Sequence, residues 1–211
     1  MKLYGYFRSS AAYRVRIALN LKGINVEHVA VHLLKDGGQQ RRPDYVELNP
    51  QAIVPTLELD GGTRITQSLA IIEYLDAVYP APKLVPSEPL DAAKVRAAAL
   101  AIGCEIHPLT NLRVLNYLRG KLAHGQNDVD AWYRHWVLEG LKAVENLLPG
   151  DDFCFGSQPT LADCCLIPQM FNARRFSIPV DHLHKILEVE RSCEKSDAFA
   201  AAHPSRQPDA E

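Results

Sequence analysis

Four of the chain's fourteen prolines fall within eleven residues, Tyr79 to Pro89, written YPAPKLVPSEP. Proline fixes its own φ, donates no backbone N–H and biases the preceding residue away from helix. No helix or interior strand runs through four of them, so the chain is cut in two there. Before the cut, β-like alternation and helical spacing take turns. After it, nearly every apolar pattern has the helical period. The expected organisation is an α/β domain over residues 1–80, a Pro-rich linker over 81–89 and an all-α domain over 90–211. A length of 211 residues accommodates one large or two small domains.

In the first part, Lys2 to Tyr6 alternates as a strand, and Ser10 to Lys22 spaces Ala11, Val15, Ala18 and Leu19 as a helix. Gly23 stands where a left-handed residue ends a helix. Asn25 to Val31 reads as a second strand, and the polar stretch after it allows at most one helical turn, near Asp44 to Leu48. Val54 to Thr66 (VPTLELDGGTRIT) is a hairpin signal, two short β runs joined across Asp60-Gly61-Gly62. Gln67-Ser68 then opens a helix with the stripe Leu69, Ile72, Leu75 and Tyr79. Beyond the linker, helical patterns cover Leu90 to Leu118 with an interruption at Pro108, then Val129 to Leu148, Thr160 to Arg174 and His182 to Lys195. The tail HPSRQPDAE reads as an extended surface strip. An α/β unit joined to a helical bundle favours a ligand cleft between the two.

Composition excludes several classes of function. A net charge of -2 gives no electrostatic reason to expect nucleic acid or an anionic membrane surface. No apolar run approaches the ~20 residues of a membrane span, and no basic-then-apolar leader is expected from the N-terminus. The five cysteines, an odd number, read as reduced thiols of a cytosolic protein. All of them lie at Cys104 or later, so the first part has no thiol.

Three short stretches carry chemistry. Arg8-Ser9-Ser10 sits where the first strand gives way to the first helix. One serine is expected as an N-cap, and a helix N-terminus with a spare hydroxyl is also an anion site. A nucleophilic serine would need a base, and the stretch holds none. Val54-Pro55 at the start of a strand reads either as an edge or turn, or as a cis proline that turns the Val54 backbone toward an extended ligand. Ser68 is expected as the N-cap of its helix, where a docked carboxylate would meet N–H groups, hydroxyl and dipole together.

These pieces resemble a cytosolic glutathione transferase, with a thioredoxin-like first domain and an all-α second domain. SSAAYRVRIALNLKGI, NPQAIVPTLELDG, QSLAIIEYL, PLTNLRVLNYL, LADCCLIPQMFNARRF and HPSRQPDAE resemble more closely the zeta class, which includes the maleylacetoacetate and maleylpyruvate isomerases. The likeness runs from Met1 to the tail. It implies glutathione as cofactor and a maleyl keto acid as substrate, isomerised from cis to trans, with conjugation or dehalogenation of small electrophiles as the alternative. A non-enzymatic interaction module is the third reading, and an intact set of binding residues argues against it. The resemblance also implies a cytoplasmic homodimer acting in aromatic catabolism.

By the same resemblance Ser9, with Ser10 and Arg8 beside it, is catalytic, its hydroxyl donating to the glutathione thiolate. Val54 pairs with the cysteinyl part of the tripeptide, Gln67 and Ser68 hold the γ-glutamyl carboxylate, and Gln51 assists at the glycyl end. His107 and Asn111 share one helix face and are candidates for the thiol side. Arg8 and Arg175 are the expected cations for a dicarboxylate, with Arg174 the less favoured neighbour of Arg175. Where the family's usual motif has a cysteine after the two serines, this chain has Ala11. The cysteine is dispensable if the nucleophile is borrowed. Thr160 to Asp163 reads as a structural capping box, Cys164 and Cys165 as core, and no Cys/His spacing suits zinc.

Overall fold

A computed structural model describes the whole chain, Met1–Glu211. Its strands are β1 (Lys2–Gly5), β2 (Glu27–Ala30), β3 (Thr56–Glu58) and β4 (Arg64–Thr66). The helices are α1 (Ser10–Leu21), α2 (Pro43–Leu48), α3 (Ser68–Val78), α4 (Pro89–Leu100), α5 (His107–Thr110), α6 (Leu112–Gly120), α7 (Gln126–Leu147), α8 (Leu161–Arg175), α9 (His184–Glu194) and α10 (Asp197–Ala202). Two compact units result, Met1–Leu84 with Glu194–Glu211, and Val85–Cys193. The division falls inside the Pro-rich segment. The C-terminal end differs from expectation: residues 194–211 belong with the first unit, not with the helical one.

The first unit is a four-stranded sheet in the order β2-β1-β3-β4. β1 and β2 are parallel, with Leu3 opposite His28, while β3 is antiparallel to both β1 and β4. A parallel pair needs a crossover, and α1 supplies it. With α3 after the hairpin, this is the thioredoxin-like arrangement. Every α1 residue from Ser10 to Leu19 is buried, and α3 and α10 both pack on it. A helix covered all round must find partners for its charges, and Arg14 and Arg16 are the two it carries inside. At its C-terminal end the Lys22 ammonium donates to Asp76 Oδ1 at 2.8 Å, Tyr79 O at 2.7 Å and Pro82 O at 2.8 Å. Asp76 also accepts the Leu84 N–H at 2.8 Å, so one ion pair fastens the start of the linker. The tail HPSRQPDAE is largely exposed, as expected, but not extended: Pro204–Arg206 forms a short turn with Pro204 buried, after α10, which the sequence reading did not place and which buries Phe199 and Ala202.

The second unit is all helical. Its first long stretch changes at Pro108, as expected: Ile106 and His107 keep helical dihedrals, but the run before the proline, Ala101–Ile106, is π-helical, and α5 starts with Pro108 in its first turn. Asn111 then leaves the helix with ψ of 146°. Gly140 of α7 permits a close approach there, since a Cβ at that position would overlap the Ile106 side chain. The capping box at α8 is formed. Asp163, 0% exposed, accepts the Cys154 N–H at 2.8 Å and the Thr160 N–H and hydroxyl, both at 2.7 Å. Burial raises its pKa, and these donors oppose the rise. Asp163→Ala strands three buried donors, so a loss of about 3 kcal/mol is expected. That corresponds to roughly 6–12 °C in a circular-dichroism melt of a chain this size. Asp163→Asn, which keeps acceptor oxygen, should lose about half as much; equal losses would contradict the donor count.

Candidate functional site

The β1–α1 junction is built by a turn in which the Ser9 N–H donates to Tyr6 O at 2.9 Å. Ser9 is the N-cap of α1: its backbone is extended, at φ -69° and ψ 116°, and its hydroxyl oxygen accepts the Ala12 N–H at 3.2 Å. The hydroxyl proton stays available to an outside acceptor. No acidic residue occupies the first turn, so nothing within α1 itself offsets the positive end of the helix. Ser9 is half-buried, whereas Ser10 is 5% exposed and Ala11 9%. Of the two serines, Ser9 presents its hydroxyl at the surface and Ser10 faces the interior. Ala11 stands in the core.

The Val54–Pro55 peptide is cis, the sharper of the two sequence readings. The Val54 side chain is buried, and its N–H and C=O enter no hydrogen bond within the chain. The residue before it is held firmly. Ile53 O accepts from the Tyr45 hydroxyl and from Asn49 Nδ2, each at 2.8 Å. Both donors are buried, and burial raises the Tyr45 pKa. These supports from α2 and its C-cap were not singled out in the sequence, because a Tyr and an Asn four residues apart look like any amphipathic turn.

At α3 the structure corrects the sequence. Gln67, not Ser68, holds the N-cap position, with φ of 68° and no capping bond from its side chain. Ser68 is the first helical residue. A positive φ in a residue other than glycine costs on the order of 1 kcal/mol and is kept only where the surroundings impose it. Here the Gln67 side chain is committed elsewhere, its Nε2 donating to Gln51 Oε1 at 2.6 Å. The first N–H groups of α3 therefore keep no side-chain acceptor. Beneath them lies a cation that the sequence did not announce: Arg14, 2% exposed, donates from Nη1 to Ser68 Oγ at 3.3 Å. Two helix N-termini, Val54's unpaired peptide groups and a buried guanidinium thus share one unit. An extended peptide with a carboxylate at one end and a thiolate in the middle fits such a set.

Arg8 borders this junction. It donates to the Tyr6 hydroxyl from Nε at 3.2 Å and Nη2 at 2.9 Å, and its guanidinium stacks 4.9 Å from the Phe7 ring centre.

In the helical unit, His107 Nε2 and Asn111 Nδ2 lie 3.4 Å apart, so the i, i+4 pair does share a face. Asn111 is also the N-cap of α6, accepting the Arg113 N–H at 3.0 Å. The two arginines at the end of α8 separate clearly. Arg174 is an ion pair with Glu190, which is 8% exposed. Arg175 is exposed and stacks at 4.5 Å on Phe176, whose ring lies 4.1 Å from Tyr133. Burial pushes Tyr133 up to about 12, against the opposing charge of Arg175. Tyr133 was not singled out in the sequence, where it lies inside the helical pattern Val129 to Leu148. The described chain has no cluster of metal-ligating side chains and no helix long and apolar enough to cross a membrane. Its five cysteines are free thiols, four of them buried.

Comparison with known proteins agrees with this architecture. The family model of the glutathione S-transferase N-terminal domain matches residues 3–83. That of the C-terminal domain matches residues 129–189. The maleylacetoacetate isomerase of Pseudomonas aeruginosa is 48% identical over 209 residues, covering 99% of this chain and 98% of that protein. A holo structure of maleylpyruvate isomerase, described as a bacterial zeta-class glutathione S-transferase, superposes with a TM-score of 0.95 at 42% identity over all of both chains. The maleylacetoacetate isomerase of Methylobacterium extorquens, with malonate and glutathione bound, gives a TM-score of 0.95 at 38% identity, again over all of both chains. This chain belongs to the zeta-class glutathione transferases, in the family of the maleylacetoacetate and maleylpyruvate isomerases.

Proposed function

We propose that the chain is a glutathione-dependent isomerase that converts a maleyl keto acid, maleylpyruvate or maleylacetoacetate, to its fumaryl isomer. The observation that carries the reading is the junction itself: an N-cap hydroxyl with a free proton at a helix end whose first turn has no acidic residue, in a unit that has no thiol of its own. When bound, glutathione supplies the thiolate that adds reversibly to the cis double bond, allows rotation and leaves.

The residues present fit that group. The Val54 peptide takes the cysteinyl backbone as an added strand would. The N–H groups of α3, with Ser68 and Arg14 behind them, take the γ-glutamyl carboxylate, and Gln67 and Gln51 close that end. Ser9 donates its hydroxyl to the sulfur, and the positive end of α1 adds to it. A thiol with pKa ~8.5 is only roughly 3% ionised at pH 7, and lowering it by ~2 units raises that to about three quarters. Two units are about 2.7 kcal/mol, within the reach of one or two charge-assisted hydrogen bonds. Arg8 stabilises the carbonyl oxygen on which negative charge develops, and Arg175 holds a carboxylate by its rigid fork. His107 and Asn111 contribute polar contacts to the cofactor. The same reading includes a homodimer in the cytoplasm, serving the breakdown of aromatic compounds.

The deciding experiment follows the ultraviolet absorbance of both maleyl substrates with and without glutathione. Turnover that requires glutathione and leaves it unconsumed supports isomerisation. Stoichiometric consumption of the tripeptide, or full-rate turnover in its absence, would overturn it.

A further inference from the structure

The C-terminal tail returns to the junction that carries Ser9. Asp209 Oδ2 accepts the Phe7 N–H at 2.9 Å, a bond between residues 202 positions apart. The other side of the same residue is held from α1, where Arg16 Nη2 donates to Phe7 O at 3.0 Å. Arg16 is 4% exposed and also donates from Nε to Ala202 O at 3.0 Å, which ties α10 into the same assembly. Its neighbour along the junction, Tyr6 O, is the acceptor of the Ser9 N–H. Phe7 therefore has both polar backbone groups clamped by charged side chains, one residue before Arg8 and two before Ser9.

This arrangement is expensive unless it positions something. A buried guanidinium loses hydration, which lowers Arg16 to about 10, and the Asp209 charge opposes that. An ordinary strand-to-helix turn satisfies one N–H and one C=O with water or backbone. Here two ionised groups drawn from distant parts of the chain do so. Arg16, His28, Gln207 and Asp209 also border a cavity of about 40 Å³ beside Tyr6, enough for two or three waters, so apolar packing does not replace the hydrogen bonds. Gln207 fastens the tail, its Nε2 donating to Ala201 O at 2.9 Å and His203 O at 3.0 Å.

We propose that Asp209, with Arg16, is a positioning residue for thiolate activation: the tail holds the Phe7 peptide so that the Ser9 hydroxyl meets the glutathione sulfur at hydrogen-bonding distance. The inference rests on the glutathione reading above. Misplacement of a catalytic donor by an ångström is costly, whereas the contacts that hold the rest of the tripeptide lie at Val54, Gln67 and Ser68 and stay in place.

The test uses full-length Asp209→Ala and Asp209→Asn, read by the 240-nm absorbance of thiolate during pH titration of bound glutathione. Asp209→Ala should raise the titration midpoint by roughly one unit and lower kcat about tenfold, with glutathione Kd at pH 7 rising only about threefold, the change that the lost ionisation itself requires. Asp209→Asn, which keeps an acceptor for Phe7, should recover most of both. An unmoved midpoint in Asp209→Ala, or a kcat loss matched by an equal loss of glutathione affinity, would overturn the proposal. If the alanine variant does not fold, Asp209→Glu carries the same readouts by displacing the carboxylate one methylene along. Absence of any thiolate signal from the unsubstituted protein would instead defeat the glutathione reading itself.

Discussion

Ser9→Ala is expected to lower isomerisation of a maleyl substrate by between about thirty- and a hundredfold in kcat, with glutathione affinity at pH 7 falling only about fourfold. The size follows from the thiol: losing roughly 2.7 kcal/mol of thiolate stabilisation drops the ionised fraction at pH 7 from about three quarters to about 3%, and the donor's orientation is lost as well. Ser9 also caps α1 through its bond to Ala12 N–H, so the alanine variant loses about 1 kcal/mol of stability. Two further variants separate the roles. Ser9→Asp keeps a capping acceptor, has no donor when ionised and adds negative charge, so it should be stable and inactive. Ser9→Thr keeps the donor and should retain a substantial part of the rate. Stopped-flow titration of the thiolate alongside turnover checks all three, and activity in Ser9→Asp near that of the parent would remove the hydroxyl from the mechanism.

Arg175→Ala should reduce kcat/KM for a maleyl keto acid by roughly a hundredfold while changing conjugation of a neutral electrophile by less than about threefold. A charge-assisted, two-pronged contact to a carboxylate is worth about 2–3 kcal/mol, and a neutral electrophile has no carboxylate to lose it on. Arg175→Lys should recover only part, since an ammonium offers a point charge instead of a planar fork. Arg174 is the internal control. Its guanidinium is bound to Glu190, so Arg174→Ala leaves a largely buried carboxylate without its partner and should cost about 1–2 kcal/mol of stability. The effect should appear in the melt and not in substrate discrimination. Equal losses on both substrates for Arg175→Ala would sink the carboxylate assignment.

Much of this was legible in sequence because the signals were local. The hairpin followed from Asp60-Gly61-Gly62 between two β runs, and Gly23 does adopt the left-handed conformation, with φ of 64°. The capping box at Thr160 was readable from four adjacent residues. Where reasoning failed, the cause lay far along the chain. Ser68 looked like the cap of α3, but Gln67 takes that position while its side chain is drawn to Gln51, sixteen residues earlier. The tail looked like an extended strip, and nothing within HPSRQPDAE says that its aspartate meets the Phe7 N–H 202 residues away.

Sequence alone determined most of the elements and their order, though not α10 or the division of the first long helical stretch, because turn chemistry, capping and apolar period act over fewer than about ten residues. It also determined that the first unit has no sulfur to react with. Tertiary structure alone decided which groups are buried and what they face. Arg14, Arg16 and Asp209 are ordinary surface residues by type, and only the packing of α3, α10 and the tail around α1 buries the two guanidinium groups and brings the half-buried Asp209 to the Phe7 N–H. The reason is energetic: in water an arginine costs nothing to leave alone, and inside a protein it is tolerated only where the fold brings acceptors to it.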